Sequence, residues 1–115
     1  MNIKVFNSKV SKENLSALAQ SSYVDMVKGV VDVDKKVVAL GGELHADAEQ
    51  ILLDQGSKQA NLWGFNIYPE KTREDYLEYT SMINIRPKQG NMQREIKDIK
   101  LRSQIKNIID EMVEL

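Results

Sequence analysis

The sequence contains one histidine, His45, in an acidic segment that follows two glycines. Glu43, Asp47 and Glu49 surround it, and imidazole with carboxylates is a ligand set for a divalent metal ion or an acid–base pair. In a regular helix His45 and Glu49 project to the same side, whereas Asp47 projects away from them. Glu43, His45 and Glu49 are therefore a candidate metal site, which would make the chain a metal-dependent hydrolase.

The same segment also has a purely structural interpretation. Acidic residues in the first turns of a helix favour the positive end of its dipole by about 0.3 to 1 kcal/mol. The metalloprotease pattern His-Glu-x-x-His is absent, and His45 borders an apolar stripe where a buried imidazole can hydrogen-bond to a carbonyl. This interpretation is favoured over the metal site, and no cofactor is predicted.

Polar residues alternate with apolar ones in two later segments. Asn66 and Tyr68 share one face of the first segment, and Asn84 and Arg86 share one face of the second. If the two segments pair as strands, these four side chains line one cleft. Arg86 would then offer a planar fork to a carboxylate or a phosphate.

A donor-rich loop of residues 88–91 follows Arg86 and extends this cleft. The predicted binding residues for a small anionic ligand are Asn66, Tyr68, Asn84, Arg86, Lys88 and Asn91. The glycine pattern matches neither a P-loop nor a dinucleotide fingerprint. The alternative interpretation is an ordinary strand-to-helix turn made by Pro87 and the Gly90-Asn91 pair.

Residues 86–106 form a basic stretch, with seven lysines and arginines against Glu95 and Asp98. Such a stretch could contact phosphates, so weak nucleic-acid binding through it is a further alternative function. No aromatic residue is interleaved for base stacking, and the acidic residues after position 106 reverse the charge. A solvated face is the favoured interpretation, and nucleic acid is disfavoured as a partner.

Composition narrows the classes of protein that fit. With 115 residues, 42% hydrophobic and 29% charged, the chain fits a single domain over residues 1–115. It has no cysteine, which excludes thiol catalysis and all-cysteine metal centres. The net charge of -1 gives no overall attraction to nucleic acid or to an anionic membrane. No stretch approaches the ~20 apolar residues of a membrane span, so we expect a cytoplasmic location and no membrane partner.

Hydrophobic periodicity predicts the elements that hold these residues in place. Strands are predicted at residues 2–7, 26–33, 37–40, 61–68 and 78–86. Helices are predicted at residues 12–21, at 44–55 and from Met92 onward, with a charged loop at 70–77. The last helix is expected to bend or break near Ile99, because the apolar stripes on its two sides are out of phase.

The predicted order is β-α-β-β-α-β-β-α, and its short connections favour antiparallel pairing. The predicted fold is therefore α+β, a two-layer sandwich with a mixed, mainly antiparallel sheet and helices on one face. The stripe of Trp63, Phe65 and Ile67 is assigned to the core.

The oligomeric state is open between two arrangements. The out-of-phase residues Met92, Ile96 and Ile99 would point away from the sheet and could meet a second subunit, which gives a homodimer. Alternatively, a kinked helix could bury both stripes within one chain.

Three segments carry a family resemblance: MVKGVVDVDKKVVALGGELHADAEQILL, GSKQANLWGFNIYP and SMINIRPKQGN. The distinctive motifs are ELHADAE and NIRPxQGN, and the resemblance covers most of residues 25–91. The chain resembles a small prokaryotic family, found in bacteria and archaea, that is described only as a domain of unknown function. The resemblance implies a compact cytoplasmic domain and brings no catalytic residue, ligand or partner. From the residues themselves, the favoured function is small-anion binding or regulation without catalysis.

Overall fold

A five-stranded antiparallel sheet forms the centre of the computed structural model, which describes residues 2–115. The strands are β1 (Ile3–Phe6), β2 (Val27–Asp32), β3 (Val37–Gly41), β4 (Leu62–Ile67) and β5 (Leu77–Glu78). The helices are α1 (Lys12–Gln20), α2 (His45–Asp54) and α3 (Ile99–Met112). The strands lie in the order β1-β3-β2-β4-β5. The predicted α+β class, with its mainly antiparallel sheet, is confirmed.

Strand β2 lies in the middle of the sheet and is buried on both faces. Val27 and Val31 point into one apolar cluster, and Val30 points into another on the opposite side. A strand with two buried faces needs a nearly continuous apolar sequence. Its hairpin with β3 is fixed by the Asp32 carboxylate, whose Oδ1 accepts from the backbone amides of Asp34 and Lys35, two and three residues further on, at 2.9 Å each.

Helices cover both faces of the sheet, which differs from the prediction of helices on one face. Helices α1 and α3 pack against the side chains of Val31 and Phe65. Helix α2 lies on the other side, called the α2 face, with Ala48 and Leu52 against Val30. The reason is that β2, β3 and β4 carry apolar residues at both alternating positions, so each face needs a cover.

The predicted strand 78–86 is wrong beyond its first residue. Strand β5 ends at Glu78, and the chain then makes two short 3₁₀ turns at Met82–Asn84 and Pro87–Gln89. We call residues 79–98 the cover segment. The segment folds back on itself through one bridge of Thr80 with Glu95 and another of Arg86 with Asn91. A 3₁₀ turn at Asn84 leaves no extended strand to place Asn84 and Arg86 in register with Asn66 and Tyr68.

The predicted helix from Met92 begins only at Ile99. Asp98 caps α3 by accepting from the backbone amides of Lys100, at 2.9 Å, and Leu101, at 3.4 Å. The break predicted near residue 99 is therefore the start of the helix. The predicted outward stripe of Met92, Ile96 and Ile99 does not form, because Ile96 is fully buried in the core while its two neighbours in the pattern are exposed.

The core on the α1 and α3 face contains the stripe predicted for it. Trp63, Phe65 and Ile67 are buried there, which confirms that prediction. Tyr76, which falls in the predicted charged loop, is also fully buried, and its hydroxyl donates to Asp110 Oδ1 at 2.5 Å. Within residues 2–115, none of the helices has the length and apolar character needed to cross a membrane.

Candidate functional site

The N-terminal end of α2 and the cover segment enclose a cavity of about 270 Å³ on the α2 face. Strands β2 and β4 form its floor. The polar and charged residues that line it are Lys28, His45, Asn66, Thr80, Ser81 and Arg94. We call this cavity the His45–Asn66 pocket.

Asn66 occupies the centre of the pocket floor. In the sheet register it stands opposite Lys28 of β2 and opposite Glu78 of β5, so the three side chains form one row. Asn66 is only 6% exposed. Its Nδ2 donates to Glu78 Oε1 at 2.7 Å and to the Thr80 carbonyl at 3.3 Å. Its Oδ1 is buried and has no hydrogen-bond partner among the described residues.

His45 is the first residue of α2 and reaches down to the sheet. Its Nε2 lies 2.8 Å from the carbonyl oxygen of Phe65, and the residue is 7% exposed. A carbonyl only accepts, so Nε2 carries the proton and donates it. The predicted alternative of a buried imidazole hydrogen-bonded to a carbonyl is thus what the structure contains.

The pKa of His45 is lowered from its ordinary value, chiefly because burial penalises the charged ring. The positive charge of Lys28 lowers it further. The Phe65 carbonyl, the Asn66 side chain and the Glu78 carboxylate oppose this shift without overcoming it. The imidazole at the pocket is therefore neutral near neutral pH.

Two of the residues that line the pocket carry a positive charge. Lys28 and Arg94 line it, and neither forms an ion pair with a carboxylate in the part of the chain described. Glu43 and Asp47 line a separate cavity on the other side of the α2 N-terminus. The start of α2 adds to this charge, since its N-cap residue Leu44 gives no side-chain cap to the first amides.

The three predicted metal ligands do not converge. His45 is bound to Phe65, Glu43 lies at the other cavity, and Glu49 Oε2 is 3.5 Å from Arg86 Nη2. Over residues 2–115, no group of three or more His, Cys, Asp or Glu side chains could hold a metal ion. Glu43 precedes α2 and lines the other cavity, while His45 and Glu49, one turn apart on the helix, contact different partners.

Arg86 lies outside the pocket and is surrounded by protein acceptors. It is 9% exposed, and its Nε donates to the Ile83 carbonyl at 3.0 Å. Its Nη atoms donate to the carbonyls of Gln59, at 2.6 Å, and Leu62. The guanidinium also lies 4.5 Å from the ring centroid of Trp63. Burial lowers the pKa of Arg86, and Glu49 opposes that shift.

Asn84 and Asn91 hold the cover segment in place. Asn84 exchanges two hydrogen bonds with the backbone of Gly64. Asn91 Nδ2 donates to the carbonyls of Asn84 and Gln93 at 2.8 Å each, and its Oδ1 accepts from the Lys97 amide at 3.1 Å. These side chains of the NIRPxQGN motif therefore bind backbone groups of the chain itself.

Of the six predicted anion-binding residues, Asn66 alone lines the pocket. The Tyr68 hydroxyl donates to Glu78 Oε1 at 3.2 Å, so Tyr68 lies beside the pocket. Lys88 is exposed at a different cavity, which it shares with Glu49 and Arg86. Sequence reasoning thus identified His45 and Asn66 but assigned them to two different sites.

Lys28 and Arg94 were not identified from the sequence as pocket residues. A signal for Lys28 existed, because it is the single charged residue inside the apolar run of β2. Only the strand register places it opposite Asn66. Arg94 was counted in the basic stretch, which the structure breaks up: Lys97 and Arg102 pair with Glu95, while Lys106 pairs with Asp110.

Comparison with known proteins identifies a family and no characterised relative. No curated protein and no solved structure matches the chain. A family model described as "Protein of unknown function (DUF5674)" matches residues 4–112. The match spans both motifs that carried the resemblance seen in the sequence, and it confirms an uncharacterised family. The chain therefore belongs to the DUF5674 family of proteins of unknown function.

Proposed function

We propose that this chain is a small-ligand binding domain that holds an anion in the His45–Asn66 pocket, without catalysis. The single observation that carries the proposal is that two positively charged residues, Lys28 and Arg94, line the pocket without a carboxylate partner among the described residues. A bound anion would supply the negative charge that neither side chain receives from the chain itself.

The charges around the pocket favour an anion. Lys28 and Arg94 supply two positive side chains, and the first turn of α2 adds backbone amides and the positive end of a ten-residue helix. The carboxylates of Glu43 and Asp47 lie at the separate cavity and leave this side of the helix end positive. Arg86 takes no part, because its donors are directed at protein carbonyls.

Binding without turnover is the better match to the state of His45. This residue is the group in the pocket whose ordinary pKa lies nearest neutrality, and its Nε2 proton is already donated to Phe65. A general acid or base needs a proton position within reach of the substrate. The contact with Phe65 makes His45 a support for the helix end.

Titration by nuclear magnetic resonance tests the proposal. ¹⁵N-labelled protein is titrated with inorganic phosphate, with acetate and with lactate, and amide shifts are followed. We expect the largest shifts at residues 44–47, 66, 80–83 and 94, and about tenfold weaker binding for Arg94→Gln, which removes one charge-assisted contact.

Lys100→Gln is the matched control, because Lys100 is an exposed residue that lines a different cavity. Its affinity should equal that of the wild type. Equal affinities for wild type and Arg94→Gln, or shifts scattered away from the pocket, would overturn the proposal.

Three further expectations from the sequence belong to this proposal. A cytoplasmic location and a distribution in bacteria and archaea are in keeping with a metabolite-binding domain.

A homodimer is motivated by Met92 and Ile99, which are 68% and 75% exposed. Sedimentation equilibrium of wild type and Ile99→Asp tests the dimer, and a monomer at every concentration would exclude it.

A further inference from the structure

A second cavity adjoins the His45–Asn66 pocket between α2 and the cover segment. It has a volume of about 490 Å³, and Met82 and Ile83 line both cavities. Ile85 and Pro87 add further apolar surface to the second cavity. We call the two cavities together the Met82 groove. A ligand that fills only the His45–Asn66 pocket leaves the other half of this groove uncovered.

Three large apolar side chains are exposed along the Met82 groove. Leu44 lines the His45–Asn66 pocket, Met82 lines both cavities and Ile85 lines the second one. Their exposed fractions are 59%, 66% and 40%. Neighbouring exposed apolar side chains are typical of a binding surface, and the flexible side chain of methionine adapts to the shape of its partner. The groove is therefore suited to apolar side chains of a larger molecule.

The charges at the two ends of the groove are positive. Lys28 and Arg94 line the His45–Asn66 pocket, and Lys88 lines the second cavity. None of the three forms an ion pair with a carboxylate within residues 2–115. The carboxylate in the lining is that of Glu49, whose side chain is 13% exposed and pairs with Arg86. The groove therefore complements a molecule with negative charges on both sides of apolar groups.

The same features distinguish between the molecules that could occupy the groove. A second copy of this chain, in an isologous dimer through the groove, would bring its cations near the same cations of the first copy. Among the described residues neither lining contains Phe, Tyr or Trp, so the groove offers no stacking surface to nucleic-acid bases. An anionic membrane attracts apolar and basic side chains that project into lipid, whereas those of the groove line cavities. An acidic protein segment meets all three conditions.

We propose that the Met82 groove is a docking site for an acidic segment of a partner protein that also carries apolar side chains. The inference rests on the proposed function, because one carboxylate of the segment is the anion held in the His45–Asn66 pocket by Lys28 and Arg94. The apolar side chains of the segment pack on Met82 and Ile85. A second carboxylate contacts Lys88.

Peptide arrays test the chemistry of the segment without knowledge of its sequence. Peptides of about eight residues extend over about 26 Å, enough to cross the chain, whose smallest extent is 23 Å. One array contains every arrangement of glutamate and leucine over this length. Three matched arrays replace glutamate with glutamine, glutamate with lysine, or leucine with alanine. We expect the strongest binding on the glutamate–leucine array, and fluorescence anisotropy gives the affinity of the best peptide of each array.

Two exposed residues of the second cavity provide the variants. Ile85→Gln removes apolar contact and Lys88→Gln removes positive charge, and each should weaken binding of the best peptide about three- to fivefold. Both should leave the affinity for inorganic phosphate unchanged, because neither residue lines the His45–Asn66 pocket. Arg94→Gln should weaken the binding of peptide and of phosphate. Met92→Gln is the matched control for Ile85→Gln, since Met92 is 68% exposed and lines neither cavity.

The possible results separate this inference from the proposed function. If the alanine peptides bind as tightly as the leucine peptides, or if Ile85→Gln and Met92→Gln behave alike, the docking inference is wrong. It is also wrong if the glutamine or the lysine array binds best. In each case phosphate binding that Arg94→Gln weakens still supports the anion site. If neither phosphate nor any peptide binds, both are wrong.

Two further measurements address the other occupants. Binding to vesicles of phosphatidylcholine and phosphatidylglycerol, without binding to the peptides, would assign the groove to a lipid surface and overturn the inference. A dimer in sedimentation equilibrium that Ile85→Gln dissociates would assign the groove to a second copy and overturn it as well. Glutamate–leucine peptides that bind best and are weakened by both variants of the second cavity support the docking site.

Discussion

The side-chain amide of Asn84 pairs with the backbone of Gly64 in the way that a neighbouring strand would. The Gly64 amide donates to Asn84 Oδ1 at 2.8 Å, and Asn84 Nδ2 donates to the Gly64 carbonyl at 2.9 Å. The Asn84 side chain therefore completes the edge of β4 at Gly64, beyond the point where β5 ends at Glu78. This pairing holds the cover segment over the sheet, and with it one wall of the His45–Asn66 pocket.

Replacing Asn84 with alanine should destabilise the chain by about 3 kcal/mol. The side chain is fully buried, and its loss leaves the N–H and C=O groups of Gly64 without their partners. Urea unfolding followed by circular dichroism measures the change. Asn107→Ala, at an exposed position of α3, is the control and should change the stability by under about 0.5 kcal/mol. Similar losses in the two variants would contradict the role assigned to Asn84.

Gly64→Ala should displace the cover segment. A Cβ atom at Gly64 would lie 2.5 Å from Ser81 Cβ, which is too close, and 3.1 Å from Ile83 Cγ1, which is tight. We expect a loss of about 1 to 3 kcal/mol, with amide shift changes concentrated in residues 80–84. Gly90→Asn is the matched control, because Gly90 has a φ of 79° that asparagine tolerates and open space around it. A fully stable Gly64→Ala would show that the cover segment is not packed on β4 as described.

Arg86→Met should destabilise the chain by about 3 to 5 kcal/mol and should leave the anion affinity of the folded protein unchanged. The substitution leaves the Gln59, Leu62 and Ile83 carbonyls without a donor and Glu49 without its counter-ion. Thermal unfolding gives the first quantity, and titration with inorganic phosphate below the unfolding temperature gives the second.

Lys88→Met, at the exposed neighbouring position, serves as the control for the Arg86 variant and should change neither quantity. A stable Arg86→Met protein that has lost phosphate binding would restore Arg86 as a ligand-binding residue. It would also remove the support for the His45–Asn66 pocket as the anion site.

The parts of the fold that follow from local periodicity could be predicted from the sequence. Alternation located β4 and its buried Trp63, and the apolar stripe located α2. The segment after β5 could not be predicted in this way. Ile83 and Ile85 alternate with polar residues as in a strand, yet Asn84 supplies the sheet-edge hydrogen bonds from its side chain, and no periodicity reports that.

The candidate site could be predicted only in pieces, for a related reason. His45 and Asn66 were both identified by residue type, but the distance between α2 and β4 is set by the tertiary packing. The prediction for Arg86 rested on residue type, which gives its five donors and not the carbonyls that accept from them. The position of Lys28 opposite Asn66 follows from the register between β2 and β4, and a single sequence does not determine that register.

The buried state of His45 predicts how stability depends on pH. The pKa of His45 in the folded state is below its ordinary value, chiefly because burial penalises the charged ring, while the unfolded chain keeps the ordinary value of about 6.5. Below about pH 6.5 the unfolded state therefore binds more protons, and the free energy of unfolding falls as the pH is lowered from there towards the folded-state pKa, below which the fall levels off. Urea unfolding at several values from about pH 8 to about pH 5 measures this fall.

His45→Gln keeps an amide N–H for the Phe65 carbonyl and should flatten the profile in that range, since the chain has no other histidine. Parallel profiles for the two proteins would mean that folding does not shift the pKa of His45, and the neutral imidazole at the pocket would have to be abandoned.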